Sequence, residues 1–98
     1  MYDQRNRVDP RILRKVMVVV EDLLAKYKRS DWMYALGLSL EEPHYLDAAY
    51  NKLVAQGKAK MWEGKHRWPL LVTLDVMELP PKPSEEEVYG EQFDHFGE

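Results

Sequence analysis

The histidines and carboxylates of this 98-residue chain form no pattern typical of acid–base or metal chemistry. The three histidines, His44, His66 and His95, fall in three different segments and lack the spacing of zinc ligands. Glu41 and Glu42 are adjacent, but they fall in a predicted turn, where solvated carboxylates are common. The chain has no cysteine, no phosphate-binding glycine motif and no Gly-x-Ser-x-Gly motif. These patterns predict no catalysis and no cofactor.

Polar and basic side chains gather instead on one predicted helix, Pro43 to Gln56, and on the segment that follows it. At about 100° per residue, the inward face of this helix is apolar. That face carries Leu46, Ala49, Tyr50, Leu53 and Val54. The opposite face carries His44, Ala48, Asn51, Lys52 and Ala55, with Tyr45 and Asp47 at its margins. The following segment adds Lys58, Lys60, Lys65, His66 and Arg67. These side chains can form hydrogen bonds and ion pairs.

Two helices are predicted before this one. Asp9-Pro10 is a good helix start, because Asp can cap backbone donors and Pro needs none at the first position. Apolar residues then recur at helical spacing for about 19 residues, with Lys26, Lys28 and Arg29 in the last turn. Met17 and Val18 fall off the apolar stripe. Either the helix is central in the core, or it has a second contact surface such as a homodimer partner.

The second predicted helix is short and leads into a turn. Ser30 is placed to cap it, it runs from Asp31 to about Leu36, and Gly37 is placed to end it in a left-handed conformation. A turn over residues 38–42 follows, with Pro43 as the first residue of the third helix.

After Gly57 the pattern changes to alternation, which predicts a β-hairpin. One strand contains Ala59 and Met61, and the other contains Trp68, Leu70, Val72 and Leu74. Pro69 fits only an edge strand or a strand start. An isolated hairpin is only marginally stable, so the two strands are expected to pack against the helices.

Length and charge suggest three segments: a flexible arm (1–8), one domain (9–78) and a Pro-rich linker with an acidic tail (79–98). Thirteen Lys or Arg and 11 acids give residues 1–78 a net charge of +2, while one Lys and six acids give the tail −5. We expect the tail to be largely disordered. The chain lacks a signal-peptide pattern, and its longest apolar run, Val16 to Val20, is too short to span a membrane.

Residues 31–76 resemble the winged helix-turn-helix fold of bacterial, archaeal and phage transcription regulators. The resemblance lies in Trp32 and Leu36 before Gly37, the turn that follows, the helix ending LVAQGK, and a hairpin with a Gly-Lys-His-Arg tip. It implies a mainly α fold, with three helices and a two-stranded wing, followed by the acidic tail. It also implies a cytoplasmic or nucleoid-associated protein that binds double-stranded DNA.

The resemblance assigns the third helix to the major groove, where Asn51 pairs with adenine and Lys52 reaches guanine or phosphate. His44, Tyr45 and Ala48 would lie along the same helix near the bases. The wing would follow the backbone through Lys58, Lys60, Lys65, His66 and Arg67. Arg5, Arg7, Lys28 and Arg29 would extend the contact.

The alternative is a winged-helix protein-interaction module without DNA binding. A net charge of only +2 on residues 1–78 is small for a phosphate binder. Glu41, Glu42 and Asp47 make the surface of the third helix mixed in sign. In this interpretation the acidic tail docks a protein partner; in the DNA-binding one it competes with DNA for the basic wing.

Overall fold

The computed structural model describes residues 7–64 and 67–90. Within them, the elements in chain order are α1 (Pro10–Tyr27), β1 (Arg29–Asp31), α2 (Trp32–Ser39), α3 (Pro43–Ala55), β2 (Ala59–Met61), β3 (Leu70–Thr73) and α4 (residues 85–90). The protein is therefore mainly helical with a small antiparallel sheet, an arrangement compatible with a winged-helix fold.

Helix α1 begins where its sequence predicts. The Asp9 carboxylate accepts a hydrogen bond from the Arg11 backbone N–H at 2.9 Å. This bond, more than the nearby Arg11 side chain, lowers the pKa of Asp9. The helix ends at Tyr27, and its cap is Lys28, whose φ of 64° is left-handed. Of the three cations predicted in the last turn, only Lys26 lies there, because Arg29 is already in β1. Val18 is 58% exposed, so α1 has a solvent-facing side and is not enclosed as a central core helix.

Strand β1 was not predicted. Ser30 lies in β1 instead of capping α2, and Asp31 occupies the cap position. Ser30 is fully buried, and its carbonyl accepts a hydrogen bond from the Tyr50 hydroxyl at 2.7 Å. Its Oγ lies 2.9 Å from the same hydroxyl. Burial raises the pKa of Tyr50 well above its usual range, and the two residues join β1 to α3.

Helix α2 continues past the glycine that was predicted to end it. Leu40, with φ 59°, takes the left-handed position after Ser39, at a cost of about 1 kcal/mol for a residue with a side chain. Gly37 lies inside the helix and serves a different purpose. A Cβ at Gly37 would lie 2.7 Å from the Tyr89 hydroxyl oxygen, so glycine allows Tyr89 to approach the helix closely.

The sheet has three strands in the order β1-β3-β2, not the two of the predicted wing. Pro69 lies just before β3, close to the strand start that the sequence allows it, but Trp68 and Leu74 lie outside the strand that was predicted to contain them. Because β3 is central, Leu70, Leu71 and Val72 are all buried, and the expected alternation is lost. Leu71 belongs to the core cluster with the helices. Leu70 and Val72 face the other side of the sheet, since neighbouring residues of a strand point to opposite faces.

The chain after β3 covers this other face. This corrects the prediction that the linker 79–83 lies outside the fold and, for residues 84–90, the prediction of disorder. Lys60 Nζ donates to the Val76 carbonyl at 3.1 Å, and the Arg29 guanidinium donates to the Pro80 carbonyl. The Tyr34 hydroxyl then donates to the Pro83 carbonyl at 2.8 Å. Residues 80–90 are therefore part of the folded unit. Residues 91–98 of the predicted tail and 1–6 of the predicted arm lie outside the described residues.

Helices α1 and α3 lie side by side and run in the same direction. The Tyr45 hydroxyl accepts from the Asp9 backbone N–H near their starts, at 3.1 Å. Lys58, just after α3, pairs with Glu21 near the end of α1, at 3.5 Å. Among the described residues, no helix is long and apolar enough to cross a membrane.

Candidate nucleic-acid interface

The outer face of α3 is shallow, as its sequence predicts. Asn51 and Lys52 are exposed, and Ala48 is half-buried. Asp47 is exposed one turn before Asn51. Val54 was predicted to point inward, but it is exposed and extends this face. The face therefore presents the Asn51 carboxamide among small side chains. Lys52 lies on the edge nearest α1, and Asp47 adds one carboxylate.

Tyr45 and His44, at the start of α3, are held by packing. Tyr45 is buried, and its hydroxyl accepts from the Asp9 backbone N–H, so it cannot reach a base edge. His44 is half-buried, with its ring centroid 4.5 Å from that of Tyr45. Its Nε2 is buried and has no hydrogen-bond partner among the described residues. Tyr45 is therefore removed from the candidate site.

The three predicted wing cations that the structure describes do not form one surface. Lys58 pairs with Glu21. Lys60 is half-buried, and its ammonium donates a hydrogen bond to the Val76 carbonyl. The Arg67 guanidinium lies 5.9 Å above the Trp68 ring. Lys65 and His66 lie outside the described residues. Of these cations, Lys58 lies beside α1 and α3, whereas Arg67 lies at the other end of the hairpin.

Arg7, Lys28 and Arg29, the further basic residues that the structure describes, are also dispersed. Arg29 is buried and pairs with Asp31. Lys28 pairs with Asp75 at 3.1 Å. The pKa of the Asp75 carboxyl is lowered most by its hydrogen bond with Thr73 and next by the one with Lys28. Arg7 is exposed ahead of α1, and Arg5 lies outside the described residues. Arg29 is therefore a structural residue.

Three cations on α1 were missed by the prediction. Arg11, Arg14 and Lys15 are exposed on the solvent side of the helix. Their spacing of three and four residues, away from the apolar stripe, is the sequence signal that could have identified them. Arg14 and Lys52 line one groove between α1 and α3. We call the surface formed by Arg11, Arg14, Lys15 and Lys52 the basic groove.

The basic groove has an excess of positive charge. Asp9 pairs with Arg11 at 3.5 Å, and Glu21 pairs with Lys58. Within the described part of the chain, Arg14, Lys15 and Lys52 have no ion-pair partner. Unpaired cations on neighbouring elements add their potentials and attract anions at a range set by salt. The groove is therefore suited to a phosphate backbone.

Among the described residues, no three His, Asp or Glu side chains come together as possible metal ligands. The chain matches no protein-family model, no curated protein and no solved structure, so the function proposed below depends on the geometry of these residues alone.

Proposed function

We propose that the protein is a winged helix-turn-helix regulator of transcription that binds duplex DNA through α3 and the basic groove. The observation that supports this most is that Arg14 and Lys52 line one groove next to the exposed Asn51, with no ion-pair partner for either cation among the described residues. Base recognition and phosphate contact need these two kinds of side chain on adjoining surfaces.

The division of labour follows from positions on α3. Asn51 points outward among small side chains, so the helix can approach the major groove and the carboxamide can pair with adenine. Lys52 follows Asn51 by about 100° around the helix, toward α1. There Lys52 and Arg14 contact the phosphates of one strand, with Arg11 and Lys15 extending that contact along α1. Lys58, just after α3, lies beside them and extends the positive surface.

The proposal is tested by fluorescence anisotropy of the full chain with a labelled generic duplex, titrated across a salt series. Affinity is expected to fall steeply from about 50 to 200 mM salt, because each phosphate contact releases a condensed counterion. Absence of binding at about 50 mM salt would overturn the proposal.

A second candidate function, protein interaction without DNA binding, is favoured by Asp47. This carboxylate is exposed on the outer face of α3, close to Asn51, where it would repel phosphate. In the DNA-binding proposal, Asp47→Asn should strengthen DNA binding in the same assay. In the second candidate function, neither the native chain nor Asp47→Asn binds the duplex.

A further inference from the structure

A pocket separate from the basic groove lies between the hairpin loop, the first turn of α2 and Lys82. Its volume is about 280 Å³. Its apolar and aromatic lining is Trp32, Met33, Tyr34, Trp68 and Leu70, with Arg67 beside them. We call it the aromatic pocket. None of these residues lines the groove between α1 and α3.

The walls of the aromatic pocket are anchored in the core but present exposed apolar surface. Trp68 stacks on Trp32 with ring centroids 6.4 Å apart and planes 9° apart. Trp32 in turn meets Tyr50 edge-on at 5.8 Å. Even so, Trp68 is 46% exposed and Met33 is 53% exposed. A ligand that covers them gains burial without having to order the walls first.

The rim of the pocket is positively charged. The Arg67 guanidinium lies 5.9 Å above Trp68, and Lys82 Nζ lies 5.6 Å above Tyr34. In the part of the chain that the structure describes, neither cation pairs with a carboxylate. Arg29 and Asp31, which also line the pocket, form an ion pair with each other at 2.7 Å. Two cations therefore remain available above an apolar floor.

We infer that the aromatic pocket binds an acidic segment of a partner protein, with an aromatic side chain between Met33 and Trp68 and flanking carboxylates on Arg67 and Lys82. Trp, Tyr, Met and Arg are the residue types that concentrate at the centres of protein interfaces. The inference does not depend on DNA binding, because the two surfaces share no lining residue.

Charge also favours a peptide over single-stranded nucleic acid in this pocket. A nucleic acid brings a phosphate with every nucleotide, whereas the free cations of the rim are Arg67 and Lys82. Two cations can match the few carboxylates of a short acidic peptide, but they would leave most phosphates of a nucleic-acid backbone without a partner.

The test is an NMR titration of the ¹⁵N-labelled full chain with the synthetic peptide acetyl-Asp-Asp-Phe-Asp-Asp-amide, up to about 1 mM. The Trp68 and Trp32 indole N–H signals are expected to shift together and saturate. Met33→Asp should weaken binding about tenfold or more, because it places a carboxylate against the aromatic anchor. Met77→Asp, at an exposed position outside the pocket lining, is the matched control and should leave binding unchanged.

Two further peptides separate the parts of the inference. Alanine in place of phenylalanine should abolish binding, and asparagine in place of aspartate should weaken it. Equal binding of the alanine peptide, equal loss in Met33→Asp and Met77→Asp, or no shift at the highest peptide concentration would each overturn the inference. So would tighter binding of an oligothymidine that Met33→Asp also weakens. Met33→Asp should leave duplex DNA binding unchanged, since Met33 lies outside the basic groove. The DNA assay therefore succeeds or fails independently of the peptide titration.

Discussion

Replacing Arg29 with alanine is expected to lower the free energy of unfolding by about 3 kcal/mol. Arg29 is 7% exposed, and its guanidinium meets the Asp31 carboxylate through two hydrogen bonds of 2.7 and 3.0 Å. It also donates to the Pro80 carbonyl. Alanine would leave the Asp31 side chain, which is only 16% exposed, without its partner, and would release the chain that covers the outer face of the sheet.

Urea denaturation followed by circular dichroism measures this effect. Lys26→Ala is the control, because the pair it breaks with Asp22 is on the surface and should be worth no more than about 0.5 kcal/mol. The double variant Arg29→Ala, Asp31→Ala should be more stable than Arg29→Ala alone, since no buried charge is left unpaired. If Arg29→Ala were no less stable than Lys26→Ala, the role given to Arg29 would be wrong.

Removing two cations of the basic groove should weaken DNA binding strongly. Arg14→Gln combined with Lys52→Gln is expected to weaken binding to duplex DNA about tenfold or more at about 50 mM salt. The slope of affinity against salt should also become shallower by about 2, because two phosphate contacts no longer release counterions. Glutamine keeps helix propensity, and both side chains are exposed, so the fold should persist.

The matched control removes the same charge from the other end of α1. Lys26→Gln combined with Lys28→Gln changes side chains that pair with Asp22 and Asp75, outside the basic groove. This variant should keep the native salt slope. Equal weakening by the two double variants would mean that net charge alone, and not the groove, governs binding.

Helices α1 and α3 could be predicted because their signals are local. Asp9-Pro10 begins α1 and Pro43 begins α3, and the apolar stripe of each helix identified most of the buried residues. Val54 was misassigned because it lies at the margin of its stripe. There a rotation of a few tens of degrees decides between burial and exposure.

The remaining elements depend on contacts between residues distant in the chain. A three-residue strand such as β1 is too short to show any periodicity. Gly37 was read as a helix end, but the side chain that explains it is Tyr89, near the end of the described chain. Likewise, the Pro-rich segment looks disordered until the donors that hold it, Arg29 and Tyr34, are seen to face its carbonyls.

The candidate site was predicted in residue type more than in place. The exposed face of α3 around Asn51 and Lys52 follows from helical geometry alone. The contribution of Arg14 could not be predicted from helical geometry alone, because it depends on how α1 packs beside α3. Tyr45 shows the converse problem, since a polar aromatic residue at a helix margin can face inward once its hydroxyl finds a partner such as the Asp9 N–H.

If α3 and the basic groove bind duplex DNA, NMR can map the contact residue by residue. On titrating a short duplex into the ¹⁵N-labelled full chain, we expect salt-sensitive shifts at the backbone amides of Arg14, Asn51 and Lys52. The indole signal of Trp68 should stay in place. Shifts confined to the aromatic pocket, or no shifts at low salt, would contradict the proposed DNA binding.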